Sequence, residues 1–315
     1  MPRLHRPKYG SLQFWPRKRS KELIPDVNWD AIKTDEKGLL GFLCYKVGMM
    51  SAIVKDDTPD SMTKGKKIAV PVTLLECPEL KIFSVRFYKN KKVVGEVIFS
   101  NDKILKRKIK PPKKIHSSID SFNKEYDDLR VIVYPNLGKN YFKKTPELVE
   151  IALNGTREEK IAFIKDKISK TIKITEVFNG KIVDVRGVTK GKGLQGPVKR
   201  FGISLRQHKS EKGVRRPGTL GPWHPARVTF VTPMAGQTGF HTRVIYNLII
   251  IGKGNIKEKN INLKGGFHKY GMIKGDYLIL KGSVQGTRKR PLLVTKPLRP
   301  TKKQLKKQYS LIELT

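Results

Sequence analysis

The hexapeptide GKGLQG, Gly191–Gly196, decides how this chain is read. It matches G-x-G-x-x-G, the pattern whose backbone cradles the phosphates of a dinucleotide. That reading needs a strand before the motif and a helix after it. It also needs an acidic residue about 20 positions on to hold the ribose. A strand does precede it, KIVDVRGV at 181–188. The sequel, PVKRFGISLRQHKSEKGVRRPG, is broken by glycine and proline and has no helical apolar face. Glu211 falls near the required distance but lies in a basic run and does not end a second strand. A nucleotide-dependent enzyme built on this motif is therefore the weaker reading.

The surroundings favour a different use of the glycines. From Arg186 to Arg243 there are twelve Lys and Arg, one acid (Glu211) and ten glycines. A stretch this long without strand or helix periodicity is unusual as a free loop in a compact domain. Glycine permits positive φ and close backbone approach, and Lys and Arg neutralise phosphates. The segment reads as a two-limbed finger that enters folded RNA. Its phosphate contacts are expected from Lys190, Lys192, Lys199, Arg200, Arg206, Lys209, Lys212, Arg215, Arg216, Arg227 and Arg243. Polar contacts are expected from His208, His224, Gln237 and His241, and close backbone approach at Gly191, Gly193, Gly196, Gly221, Gly236 and Gly239. Trp223, with Phe201, Phe230 and Phe240, adds flat surfaces for unstacked bases. Trp223 has a bland alternative as a core side chain, but Gly221, Pro222, His224 and Pro225 around it argue against a regular core element.

Composition over the whole chain agrees. Its 315 residues carry 66 Lys and Arg against 27 Asp and Glu, a formal net charge of +39. Self-repulsion on that scale calls for a polyanionic partner. An anionic membrane is a weaker candidate than nucleic acid, because the longest apolar run, VIYNLIII at 244–251, is far short of the ~20 residues of a spanning helix. The N-terminus lacks the apolar stretch of a signal peptide, and with only two cysteines the expectation is a cytoplasmic, reducing location. Cys44 and Cys77 each sit in an apolar run with no ligand-spaced partner, so they read as small buried side chains, with a metal or disulfide role as the alternatives. No nucleophile–base pair stands out, so the chain is not expected to be an enzyme. No cofactor or metal site is expected beyond Mg2+ held by the RNA itself, and no small-molecule substrate.

Both ends are basic. Residues 1–21 hold seven Lys and Arg and no acid, and residues 287–315 hold nine against Glu313. They read as arms ordered by a partner, with Arg3, His5, Arg6, Lys8, Arg17, Lys18 and Arg19 as RNA contacts. Trp15 in FWPRKR could pack or contact RNA, and Trp29 is expected to pack.

Between the arms the local signal is strand. GFLCYKVGMMSAIVKD (41–56) reads as two short strands about a turn near Gly48. KIAVPVTLLEC (67–77) follows, with Pro71 marking an edge or bulge. KIFSVRFYKNKKVVGEVIFS (81–100) reads as a hairpin around Lys89–Lys92, and LRVIVYPN, LVEIAL, RVIYNLIIIG, DYLILKGSV and PLLVTKP as further strands. Thr156 and Glu159 form a capping box for a helix whose apolar face is Ile161, Ile164 and Ile168. Short strands on both sides of a long irregular segment suggest a closed β-barrel.

The expected organisation is a basic N-terminal arm (1–36), the first part of a barrel (37–77) and an inserted α+β subdomain (78–170). A barrel strand (171–190), the glycine-rich finger (191–242), the last part of the barrel (243–297) and a basic tail (298–315) complete it. The alternative function outside enzymes is a general basic nucleic-acid-binding protein.

Several blocks carry a resemblance. RGVTKGKGLQGPVKRFG (186–202), GTLGPWHPARV (218–228) and MAGQTGFHTR (234–243) resemble the signature blocks of the large-subunit ribosomal protein L-three family. HRPKYGSLQFWPRKR (5–19) resembles the N-terminal arm of its archaeal and eukaryotic members, and GFLCYKVGM (41–49) and GDYLILKGSVQGTRKRPLLVTKP (275–297) its first and last barrel strands. The resemblance is weakest across 78–130, and the length suggests an archaeal-type member. It implies a translation-protein-type barrel and a finger reaching through large-subunit, 23S-type rRNA toward the peptidyl transferase centre. Trp223 would sit near that tip, in support of subunit assembly and aminoacyl-tRNA accommodation. Partners would be that rRNA and neighbouring large-subunit proteins including L-fourteen. Eukaryotic members carry a modifiable histidine where Glu211 falls here, and His208 is three positions away, so no such modification is expected.

Overall fold

The computed structural model describes residues 9–113, 115–116, 118–119, 122, 125–138 and 141–315; Arg3, His5, Arg6 and Lys8 lie outside them. The chain divides into two units. The larger comprises Leu23–Gly187 and Arg243–Thr315, and the smaller joins the N-terminal segment up to Glu22 with Val188–Thr242.

Strands dominate. β1 (Gly38–Leu39), β2 (Gly41–Asp56), β3 (Lys67–Cys77), β4 (Leu80–Lys89) and β5 (Lys92–Ile98) precede β6 (Asp128–Pro135), β7 (Val149–Asn154) and the helices α1 (Arg157–Lys167) and α2 (Ile174–Val177). Then come β8 (Ile182–Val188), β9 (Leu194–Gln195), α3 (Pro197–Phe201) and β10 (Gly236–Gln237). β11 (Thr242–Asn255), β12 (Asp276–Lys281), β13 (Pro291–Thr295), α4 (Lys302–Leu305) and β14 (Tyr309–Leu314) complete the order.

A seven-stranded sheet runs β13-β8-β11-β12-β3-β2-β14, and β13 also pairs with β2. A five-stranded sheet runs β1-β7-β6-β4-β5. One buried cluster serves both: Phe42, Leu43, Leu75 and Leu278 from the first sheet share it with Ile82, Val85, Val131 and Ile151 from the second. This explains why Gly41–Gly48 is buried at every position while the rest of β2 alternates. A strand covered on both faces reads as a continuous apolar run, and one with a wet face alternates.

Three details differ from the sequence reading. GFLCYKVGMMSAIVKD is one strand, not two: the register against β3 shifts between Lys46 and Gly48, so the turn-like signal at Gly48 marks a bulge. The C-terminal segment is not a free tail. β14 pairs antiparallel with β2, and Ser51 and Thr315 exchange backbone hydrogen bonds of 2.9 Å. Its YSLIEL run, with a register shift between Leu311 and Glu313, packs Tyr309, Leu311 and Leu314 on a buried cluster, and the lysines before it masked the signal. The N-terminal arm, over its described residues, is packed by its own chain, as set out below. Pro71 lies one residue outside the β3–β12 register, where its carbonyl still accepts from Gly282 Nα (2.8 Å) but no ladder donor is needed.

Glu159 Nα donates to Thr156 Oγ1 (3.4 Å) and Thr156 Nα donates to Glu159 Oε2 (3.0 Å), so the capping box that opens α1 is made in both directions. Ile164 is its fully buried anchor. Thr156→Ala is expected to lower the stability of the larger unit by about 1 kcal/mol. The check is a lower denaturant midpoint at unchanged slope.

Candidate nucleic-acid interface

The smaller unit is built where two limbs leave and rejoin the strands. Thr189 Nα donates to the His241 carbonyl (2.9 Å), Lys192 Nα to Thr238 (2.9 Å) and Thr238 Nα to Gly193 (2.9 Å). β9 and β10 extend this ladder antiparallel, Leu194 facing Gln237 and Gln195 facing Gly236. The limbs approach so closely that a Cβ on Gly239 would lie 2.1 Å from the Lys190 carbonyl oxygen, and Gly239 has φ +72°. Gly193, at φ +65°, turns the first limb into β9 with open space around it. These two glycines answer the question raised by GKGLQG. They let two limbs pair; the helix that follows, α3, has five residues, and nothing in the segment resembles a second strand ending in an acid. The close approach expected at Gly239 is to this chain's own backbone, while a Cβ placed on Gly193, Gly196 or Gly221 would have no neighbour within 4 Å.

The N-terminal segment braces the base of the limbs. Trp15 stacks on Phe201 (5.7 Å between centroids, 17°) and meets Phe230 edge-on (5.7 Å, 76°). The Arg17 guanidinium lies over Phe201 at 4.7 Å, and Arg19 lies over Phe240 at 5.0 Å, both in cation–π range. Arg200 Nε donates to the Gln237 carbonyl (3.1 Å) and its Nη1 to the Met234 carbonyl (2.9 Å), tying α3 to the second limb. Burial, and then the neighbouring Arg17 charge, press the Arg200 pKa below its ordinary value. Ser20 Nα donates to the Phe240 carbonyl (2.8 Å), and His241 Nδ1 lies 2.8 Å from the Lys18 carbonyl. Gln237 Nε2 donates to the Gly239 carbonyl (3.0 Å).

The expected contact residues thus separate into two groups. Arg17, Arg200, Gln237 and His241 hold the unit's own architecture; Arg19, over Phe240, and Arg206, whose Nη2 donates to the Pro217 carbonyl (3.0 Å), do so in part and are themselves exposed. Arg243 belongs to β11 of the larger unit and passes its carbonyl to Gln285 Nε2 (3.1 Å). Lys190, Lys192, Lys199, His208, Lys209, Lys212, Arg215, Arg216, His224 and Arg227 are exposed, as is Lys18. Trp223 is 87% exposed, which removes the core reading for it. Trp29 is buried in the main cluster, as expected.

The sequence reading passed over Leu194, which is 77% exposed, and over Leu205, Leu220 and Val228, exposed on the same limbs. The available signal was an apolar residue in a basic run without period, which no core can bury.

Seventeen Lys and Arg in this unit face two acids, Glu22 and Glu211. Among the described residues, none of the cations from Lys190 to Arg227 lies in an ion pair, whereas the larger unit holds networks such as Arg130 with Asp30, Asp128 and Glu150. Such a surface can neutralise phosphates and stack on bases. Among the described residues no cluster of three or more His, Cys, Asp or Glu could hold a metal ion, and no helix is long and apolar enough to cross a membrane.

The mainly β unit and the cationic, largely irregular limbs have the makeup of a class of proteins suited to polyanions. Comparison with known proteins says which. The family model for ribosomal protein L3 matches residues 1–95 and 86–313. Large ribosomal subunit protein uL3 of Methanococcus vannielii is 42% identical over 311 residues, covering 94% of this chain and 92% of the relative. Its counterpart in Methanocaldococcus jannaschii is 40% identical over 319 residues, 96% and 94% of the two chains, and that of Pyrobaculum aerophilum 40% over 323 residues, again 96% and 94%. The chain belongs to the ribosomal protein L3 family, and these relatives are archaeal, as its length suggested.

Proposed function

We propose that this chain is a structural constituent of the large ribosomal subunit and performs no chemistry of its own. The observation that carries this reading is the smaller unit's surface, rich among the described residues in cations without carboxylate partners, in a chain of this family. The exposed cations named above bind 23S-type rRNA phosphates, and the limbs reach through the rRNA toward the peptidyl transferase centre. Mg2+ in the neighbourhood is held by the rRNA, and adjacent large-subunit proteins, L-fourteen among them, line the body, so the chain is ribosome-bound in the cytoplasm.

The body acts as a closed barrel of the translation-protein type. Its support is that β13 pairs with both β8 and β2, which closes the strand series from β13 to β2 and leaves β14 outside the ring. The segment 78–170 is the inserted α+β subdomain, supported by the separate pairing order of β4 to β7. The seven-part division from the 1–36 arm to the 298–315 segment is kept, with that last segment anchored through β14.

The test is sedimentation of native lysate through sucrose at moderate and then high salt. Retention with the large subunit at high salt is expected, because threaded contacts do not depend on screened charge alone. Release into the soluble fractions as salt rises would reduce the chain to a general basic nucleic-acid-binding protein. Trp223 serves accommodation of aminoacyl-tRNA by positioning rRNA. Trp223→Ala particles are expected to assemble but to bind aminoacyl-tRNA more weakly and react more slowly with puromycin; wild-type behaviour in both assays would remove that role.

A further inference from the structure

We infer that Cys44 and Cys77 join in a disulfide that locks β2 to β3. The β2–β3 register pairs Tyr45 with Glu76, and one step further along the same ladder come Cys44 and Cys77. Directly opposed residues on antiparallel strands have Cα atoms about 4.5–5.5 Å apart, inside the roughly 4.4–6.8 Å that a disulfide spans. Both thiols are free in this structure, and Cys77 Sγ donates to Cys44 Sγ at 3.0 Å, closer than two unbonded sulfurs in van der Waals contact. Both residues are fully buried among Phe42, Leu75 and Leu278. The other neighbour of the Cys77 sulfur is the Leu75 carbonyl at 3.9 Å, too far to satisfy a thiol well.

A metal explains the pair less well, since among the described residues no third ligand completes a site. Reading each cysteine from its own apolar run gave two separate core side chains. The strand register brings them together across 33 positions.

The reaction is exchange with a low-molecular-weight disulfide. One cysteine thiolate attacks it, forming a mixed disulfide and expelling one small thiolate. The second cysteine thiolate attacks the protein sulfur of that bond and expels the other. The protein loses two protons and two electrons, and the oxidant becomes two thiols. In the finished fold burial pushes the Cys77 thiol well above its ordinary range, so the thiolate is scarce there. Exchange therefore belongs to the stage at which β2 and β3, neighbours in sequence, have paired and the other strands have not yet covered them. Once covered, the bond is shielded from reductants.

The test refolds the reduced full chain with hydroxyethyl disulfide, unfolds it in denaturant with N-ethylmaleimide, and maps its peptides by mass. The expected product is unalkylated, two hydrogens lighter than the reduced chain, and yields one peptide pair linked through Cys44 and Cys77. On the chain-entropy account, closing this loop lowers the unfolding constant about five-hundred-fold relative to the reduced chain. Alkylation of both cysteines, or a separate hydroxyethyl adduct on each, would overturn the assignment without any variant having to fold. A link that forms with no change in the unfolding constant would overturn its locking role. The Cys44→Ala, Cys77→Ala double variant should show no oxidant-dependent change in that constant.

Discussion

Replacing Lys209, Lys212, Arg215 and Arg216 together with glutamine is expected to weaken binding of the full chain to large-subunit rRNA by roughly three-hundred-fold at physiological salt. Each phosphate contact releases about 0.7–0.9 of a counterion, so losing four flattens the slope of log affinity against log salt by about 3. All four side chains are exposed on a limb with a single acid, Glu211, so their charges are available and their loss removes no packing. Thermal unfolding of the free chain should therefore be unchanged, which separates the effect from misfolding. The measurement is filter binding across a salt series. An unchanged slope would mean that these cations face solvent in the assembled particle. Sequence effects should be uniform, because phosphate contacts carry no base information.

Gly239→Val is expected to separate the limbs at their base. The new Cβ would start 2.1 Å from the Lys190 carbonyl oxygen, and a branched side chain at φ +72° costs about 1–2 kcal/mol before that clash is relieved. The backbone of Lys190 and Gly191 cannot yield without breaking the Lys192–Thr238 and Thr238–Gly193 bonds beside it. Hydrogen exchange on the free chain should show lost protection at Lys192 and Thr238, while β2, β3 and β12 keep theirs. Gly193→Ala is the contrast. It shares the positive φ but meets open space, so its cost stays near 1 kcal/mol and the ladder survives. Equal behaviour of the two variants would mean that backbone freedom, and not close approach, is what Gly239 supplies.

Much of the body was legible because its strands are written in local pattern. Hydrophobic runs marked β3, β4, β6, β7 and β12 near their observed bounds, and the capping box announced α1. Bulges were not legible: Gly48 reads the same in a turn and in a shifted register, and the partner strand decides between them. For the candidate interface, residue type found the cations but could not sort them. Arg200 and Lys199 are adjacent in sequence, yet the first is spent on two carbonyls of the opposite limb and the second is exposed. Trp15 and Trp223 also look alike in their basic settings. One is held between Phe201 and Phe230, and the other stands in solvent.

By itself the sequence determined the charge balance, the strand-rich body, the family through its ordered blocks, and the rejection of a dinucleotide site. Those properties belong to residue types and short spacings, and survive in an extended chain. Only the tertiary structure decided which glycine permits contact and which merely turns, which arginines are structural, where the C-terminal strand docks, and that two cysteines meet. Each depends on segments far apart in the chain, and their proximity is set by strand register and shared core packing, which no local spacing encodes.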